Sequence, residues 1–452
     1  MQGIQVLGYI LIPIGIILFF LNIKYLLYLM VFFMGFTATS LVNFGTTFTL
    51  TPSYFFGTLI IIKYIFTIIL KKRIIKPNKI MCLFILLCIL SIIMTVLIHN
   101  KNIFIMNQDS QWVNIGFSSS NVTQLLYILF CFVIYYFVKD YLYNNPKQIY
   151  LIIKILIYST IVMCFLGFYQ EFSHVNNLPY DEIFRNSLHG NVQATNNFVR
   201  VYSVAQEPSM FAYFLAPVLA LSIILPRKLL KHKLLFIILV ILTGLMSTST
   251  TFIVGFIALI FKVIFDKCIS FMKNRKNYNQ KISFILPLII IFIIIISLII
   301  IKINPNIKHS LIDGAINKLQ GNNLSGIERT MGFKNHVYVG LQYPFLGVGF
   351  GTARSKDLLS TWLCNIGFIS TGIFIAYLFK LITKLKYTNK LGYGISNYIF
   401  VLFTCAFISV PEPYYLFIWV MFSIGENLLI QKRKGTLEQD DRVHKKFKIV
   451  WR

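Results

Sequence analysis

The stretch KKRIIKPNKIMCLFILLCILSIIMTVLI, residues 71–98, decides the fold. Its first nine residues carry five Lys or Arg, and the nineteen from Ile80 to Ile98 carry no charge. Nineteen helical residues reach about 28 Å, close to the roughly 30 Å of a hydrocarbon core. A basic cluster followed by such a run reads as a cytoplasmic loop leading into a membrane span.

The rest of the chain repeats this pattern. Apolar residues make up 57% of the 452, and mean hydropathy is +0.73, above what a water-soluble core requires. About thirteen runs of spanning length are expected: 4–21, 26–43, 51–70, 80–98, 125–143, 150–170, 210–225, 234–247, 250–265, 282–302, 361–379, 393–410 and 414–431. The first lacks a basic n-region and a small-residue cleavage site, so it reads as a span and not a removed signal. The expectation is an all-α polytopic membrane protein, one transmembrane domain over residues 1–452 with about 12–13 helices.

Lys and Arg set the orientation. The clusters 71–79, 226–233, 266–281 and 380–390, with the tail 432–452, alternate with basic-poor segments, which places them in the cytoplasm. The net charge of +27 follows from that topology and from headgroup attraction, and nucleic-acid binding is excluded because no basic soluble domain exists to carry it. The loops assigned to the other side are 99–124, 171–209 and 303–360, and they hold most of the remaining polar residues. Nine of the fifteen acidic residues fall on that side, Asp109, Glu171, Asp181, Glu182, Glu207, Asp313, Glu328 and Asp357 in these loops and Glu412 between the last two spans, beside Arg185, Arg200, Arg329 and Arg354. The seven cysteines avoid these loops, so neither a disulfide framework nor a Cys-x-x-Cys metal site is expected, and no cofactor motif is present.

Two loop segments stand out. In FVRVYSVAQEPSMFAYFLAPVL, residues 198–219, Arg200 and Glu207 lie at the lip of a span, and Pro208 at the first helical position puts Glu207 at the N-cap. In 303–360, Ser310 with Asp313 predicts one short helix ending near Gly321. Ser325 with Glu328 predicts a second, stopped by Pro344. On that second helix Arg329, Phe333, His336 and Gly340 share a face by spacing, with Gly340 leaving room for a bulky group. The run GVGFG at 347–351 has no strand before it and no helix directly after it, so it reads as a tight turn and not a nucleotide cradle. Taken alone, Arg200, Glu207 and Arg329 fit equally well as lip residues that snorkel, cap a helix or pair.

The segments VRVYSVAQEPSMFAYFLAP and ERTMGFKNHVYVGLQYPFLGVGFG resemble the arginine-plus-Glu-Pro-Ser and the arginine, Tyr-Pro and Gly-x-Gly-x-Gly regions of the O-antigen polymerase and O-antigen ligase (Wzy-type) family. Arg329 to Gly340 fits the R-x10-G spacing of the polymerases, whereas Phe211 stands where Arg200 would require glycine. Lys356-Asp357, ahead of Gly367, replaces the His-Asn type motif of the ligases, which favours a polymerase. The resemblance implies a GT-C-like glycosyltransferase in the bacterial cytoplasmic membrane, acting on its outer side. It also implies an undecaprenyl-pyrophosphate-linked oligosaccharide as substrate, with a chain-length regulator and a flippase as pathway partners.

Such chemistry needs no nucleotide, because the donor sugar is already activated. Arg200 and Arg329 are the candidates for holding the pyrophosphate, since the guanidinium fork pairs bidentately with phosphate oxygens. Glu207 or His336 is the candidate base for the acceptor hydroxyl. Arg354, Lys356, Gly340, Tyr338 and Tyr202 are the candidates for further substrate contact. A lipid-linked oligosaccharide flippase, which would carry its charges within spans, and a structural scaffold, indifferent to loss of both arginines, are the competing expectations.

Overall fold

The computed structural model describes the chain except for residues 1–2, 46–47, 72–74, 108–109, 189–193, 196–197, 273–323 and 438–452. The expected span 282–302, the Ser310–Asp313 helix, Asp109, Asp313 and most of the tail lie outside the described residues. What is described is all-helical apart from short strands. The helices are α1 Val6–Leu21, α2 Ile23–Phe32, α3 Pro52–Lys71, α4 Lys79–Leu97, α5 Ser119–Asn144, α6 Gln148–Asn176, α7 Asp181–Phe184, α8 Pro208–Ser222, α9 Lys233–Met246 and α10 Thr250–Met272. After the undescribed stretch come α11 Leu324–Gln342, α12 Leu358–Lys386, α13 Lys390–Ser409 and α14 Leu416–Arg433. Among the described residues six helices are long and apolar enough to cross a membrane: α3 through Ile69, α4, α5, α6, α12 and α13.

The connections sort into two ends. At one, Lys139 pairs with Glu426 at 2.7 Å, Asn78 donates to the same carboxylate, Lys386 pairs with Asp266 at 2.9 Å, and Lys434 reaches the Tyr143 hydroxyl at 2.7 Å. This is the basic end. At the other, Tyr54 reaches the Tyr414 carbonyl at 2.8 Å, Thr95 the Val348 carbonyl at 2.9 Å, and Asn121 the Phe350 carbonyl at 2.8 Å. Val201 N–H donates to Met246 at 3.2 Å, and the hydroxyls of Thr251 and Ser409 meet at 2.9 Å. Arg200, Arg329 and the Gly-rich run all belong to this loop end.

Helix α8 lies at the centre of the bundle, buried on almost every side from Phe211 to Ser222. Close approach is what holds it, since apolar burial gives helices no advantage over lipid tails. A Cβ on Gly255 of α10 would lie 2.7 Å from Ala216 of α8 and 2.8 Å from the Cys405 sulfur of α13, so the missing side chain lets three helices meet.

Three expectations need correction. The second span, expected over 26–43, is helical only to Phe32, with a 3-10 turn Phe33–Gly35, after which the chain runs extended. Thr39, Ser40 and Asn43 there bind Phe184 and Asn186, and the strands Gly3–Ile4, Val42–Phe44 and Phe48–Leu50 pair antiparallel. Small polar side chains that satisfy a neighbouring loop outcompeted the apolar run. The span expected at 361–379 begins at Leu358, ends at Lys386 and breaks at Gly367, whose φ of +75° and close contact with the Pro344 carbonyl admit no side chain. The run 414–431, read as an apolar span, carries a buried charge: Glu426 inside α14 accepts hydrogen bonds from Tyr135, Tyr377 and Asn78 besides its ion pair with Lys139.

Candidate functional site

The segment carrying Arg200 and Glu207 is held by groups on two other elements. Gln170, fully buried on α6, accepts the N–H groups of Tyr202 (3.1 Å) and Ser203 (2.8 Å) and donates to the Arg200 carbonyl (3.2 Å). Arg185 stacks on the Tyr202 ring at 3.7 Å, pairs with Asp181 at 3.1 Å and donates to the Ala205 and Gln206 carbonyls. Glu207 follows directly at the N-cap of α8, with Pro208 opening the helix. Its side chain makes no cap bond and instead accepts from the Ser209 hydroxyl at 3.1 Å.

The Arg200 guanidinium reaches across to the end of α9. Nε bonds the Thr248 hydroxyl at 2.8 Å and the Ser247 carbonyl at 3.3 Å, and Nη2 bonds the Thr248 carbonyl at 3.1 Å. Carbonyls at a helix C-terminus carry the negative end of its dipole and favour a cation there. Arg329, on α11, makes no hydrogen bond or ion pair among the described residues. Burial lowers the pKa of both arginines, and in both cases the Glu207 carboxylate opposes that shift. One carboxylate therefore acts electrostatically on two guanidinium groups from separate elements. Asp357, the N-cap of α12, acts on Arg329 as well; burial raises its own pKa against the hydrogen bonds of Ser360 and Ser355.

Two further predicted residues lie at the same end. Arg354 is paired with Glu412, and its charge acts on Tyr415, as does that of Glu207. Lys356 pairs with Glu328 at 2.5 Å and contacts Ser110 at 3.3 Å, tying α11 to the 99–118 loop.

Other predicted residues stand apart. His336 is 0% exposed, its Nδ1 lies 2.8 Å from the Gly332 carbonyl, and its Nε2 is buried without a partner among the described residues. Burial lowers its pKa. Gly340 does not leave room for a ligand: a Cβ there would lie 2.5 Å from the Leu363 carbonyl, so the glycine seats α11 on α12. Phe333 is 39% exposed and does not share the buried stripe of Gly332, His336 and Gly340. Tyr338 points outward, 62% exposed, whereas Tyr202 is fully buried beneath Arg185. The run at 347–351 is a turn, with all three glycines at positive φ, and it fills the break in α12: Val348 and Gly349 N–H groups donate to the Cys364 and Asn365 carbonyls at 2.8 and 2.9 Å. Irregular backbone of this kind is tolerated deep in a bundle where protein groups satisfy it.

Gln170, Arg185, Glu412 and the Ser247-Thr248 carbonyls were not singled out from the sequence. Gln170 falls at the end of an apolar run with no local signal, and Arg185 read only as a loop charge. No protein-family model matches the chain, and no curated protein is significantly similar to it.

Proposed function

We propose that this protein is a polysaccharide repeat-unit polymerase, a GT-C-like glycosyltransferase that extends a glycan on undecaprenyl pyrophosphate outside the cytoplasmic membrane. The feature that carries the reading is that one carboxylate, Glu207, acts electrostatically on both buried arginines, Arg200 and Arg329, at the end opposite the basic clusters. On this reading the basic end is cytoplasmic and most of the helices span the bilayer.

The donor glycan enters already bonded through C1 to pyrophosphate. Arg329, which makes no hydrogen bond among the described residues, binds pyrophosphate oxygens, and Arg200, held at the α9 terminus, supplies a fixed positive field. The acceptor hydroxyl attacks C1, the C1–O bond to pyrophosphate breaks, and undecaprenyl pyrophosphate leaves with the bonding electron pair. Glu207 takes the hydroxyl proton. Glu207 is preferred to His336 as base because it is partly exposed and its charge acts on both arginines, whereas His336 is fully buried. Burial of the arginines strengthens their hold on developing negative charge.

Deleting the gene and analysing lipid-linked and surface glycans tests the reading. Single lipid-linked units without polymer are expected. Intact lipid-linked polymer left unattached would point to a ligase, and units trapped on the cytoplasmic face to a flippase.

A further inference from the structure

A second feature lies at the opposite, basic end. Between α6 and α9 a groove of about 410 Å³ is open to the side, and its lining is overwhelmingly apolar. On α6 it follows Lys154, Ile157, Tyr158, Ile161 and Phe165, a spacing of three and four residues that makes one continuous face. The other wall comes from α9 and from the 226–233 cluster, which sets Lys231 and His232 at the rim. Lys154 is partly buried near the start of a membrane-spanning helix. Neither it nor Lys231 nor His232 has an ion-pair partner among the described residues. A cation in that position calls for a counter-ion.

The groove has a length as well as a polarity. From Lys154 to Phe165 α6 rises about 16 Å, roughly half of a 30 Å hydrocarbon core. A site with cations at the bundle's end and an apolar channel one leaflet deep matches an amphiphile with an anionic head. We propose that this groove binds an anionic phospholipid of the leaflet at the basic end, its phosphate on Lys154 and Lys231 with His232 beside them and one acyl chain along Ile157, Ile161 and Phe165. The reading is independent of the chemistry assigned to Arg200, Glu207 and Arg329, whose residues all lie at the other end. A free phosphate would use the cations but not the channel; a zwitterionic lipid would use the channel but gain little from the cations.

Native mass spectrometry of the full chain, purified in detergent and incubated with phosphatidylglycerol, phosphatidylcholine or inorganic phosphate, separates these cases. Phosphatidylglycerol should be retained in preference to phosphatidylcholine, and inorganic phosphate should not displace it. Lys154→Gln and Lys231→Gln should each weaken retention about five-fold. Ile161→Trp, which leaves every cation in place but fills the channel, should abolish it. Equal retention of both lipids, displacement by inorganic phosphate, or wild-type retention by the Lys154→Gln/Lys231→Gln double variant would overturn the proposal. Thermal unfolding of each variant identifies any that lose lipid by misfolding, and for those the Ile161→Trp result decides.

Discussion

Glu207 and His336 illustrate how far position alone determines a role. Both were legible as bases from residue type, and only burial separates them: Glu207 is partly exposed, His336 has none of its surface in solvent. Glu207→Gln keeps size and the Ser209 contact while removing the charge, so we expect normal insertion and no polymer; His336→Gln is expected to stay active. His336 should declare itself through stability instead. Its native pKa lies below the ordinary value of about 6.5, so the unfolded chain takes up a proton that the folded chain resists as pH falls through that value. Its contribution is fully present above pH ~6.5 and is lost below it. Thermal midpoints at pH 7.5 and 5.5 should therefore differ less in His336→Gln than in the parent, and an unchanged difference would remove the assignment. The Arg200 and Arg329 charges were visible in the sequence. That one carboxylate acts on both was not, because it depends on Gln170 and Arg185 fixing the 200–207 segment from 30 and 20 residues away.

At the scale of elements, hydropathy located most helices to within a few residues. It failed where backbone demand overrode it. The break at Gly367 is one such place, since the run around it is apolar enough to read as unbroken; the carbonyls it frees are satisfied by the turn at 347–351, whose position no periodicity foretells. The early end of α2 is another. Charge inside helices was the third, and it yields a test. Glu426 is joined to Lys139, Tyr135, Tyr377 and Asn78, linking α14 to α5, α12 and the start of α4. Removing one partner of a buried pair strands the other, at a cost of about 3–5 kcal/mol. Glu426→Ala should lower stability by that order in denaturant or thermal unfolding of the purified protein, and Lys139→Met in the same chain should recover much of the loss. A Glu426→Ala variant as stable as the parent would show that the network contributes little.

For the whole molecule, the two ends are the organising fact. The sequence separated them by charge and the structure separates them by contact: basic clusters meet one another around Glu426 and Asp266, while the acidic and arginine-bearing loops meet around Glu207. Cysteine accessibility in a cysteine-free background should place Gln111 and Asn176 outside the cell and Lys231 and Lys434 inside. Opposite labelling would put the Glu207 site on the cytoplasmic face and end the proposed chemistry. The account's central claim is that Arg329, which makes no hydrogen bond among the described residues, holds a pyrophosphate leaving group in a reaction for which Glu207 is the base. Its most direct test is polymerisation by the purified, reconstituted protein of undecaprenyl-pyrophosphate-linked repeat units, read as a ladder of glycan lengths. The parent should build a ladder, Arg329→Ala none, and Arg329→Lys a residual one, because lysine restores charge without the bidentate fork. No ladder from the folded parent, or an undiminished ladder from Arg329→Ala, would contradict it.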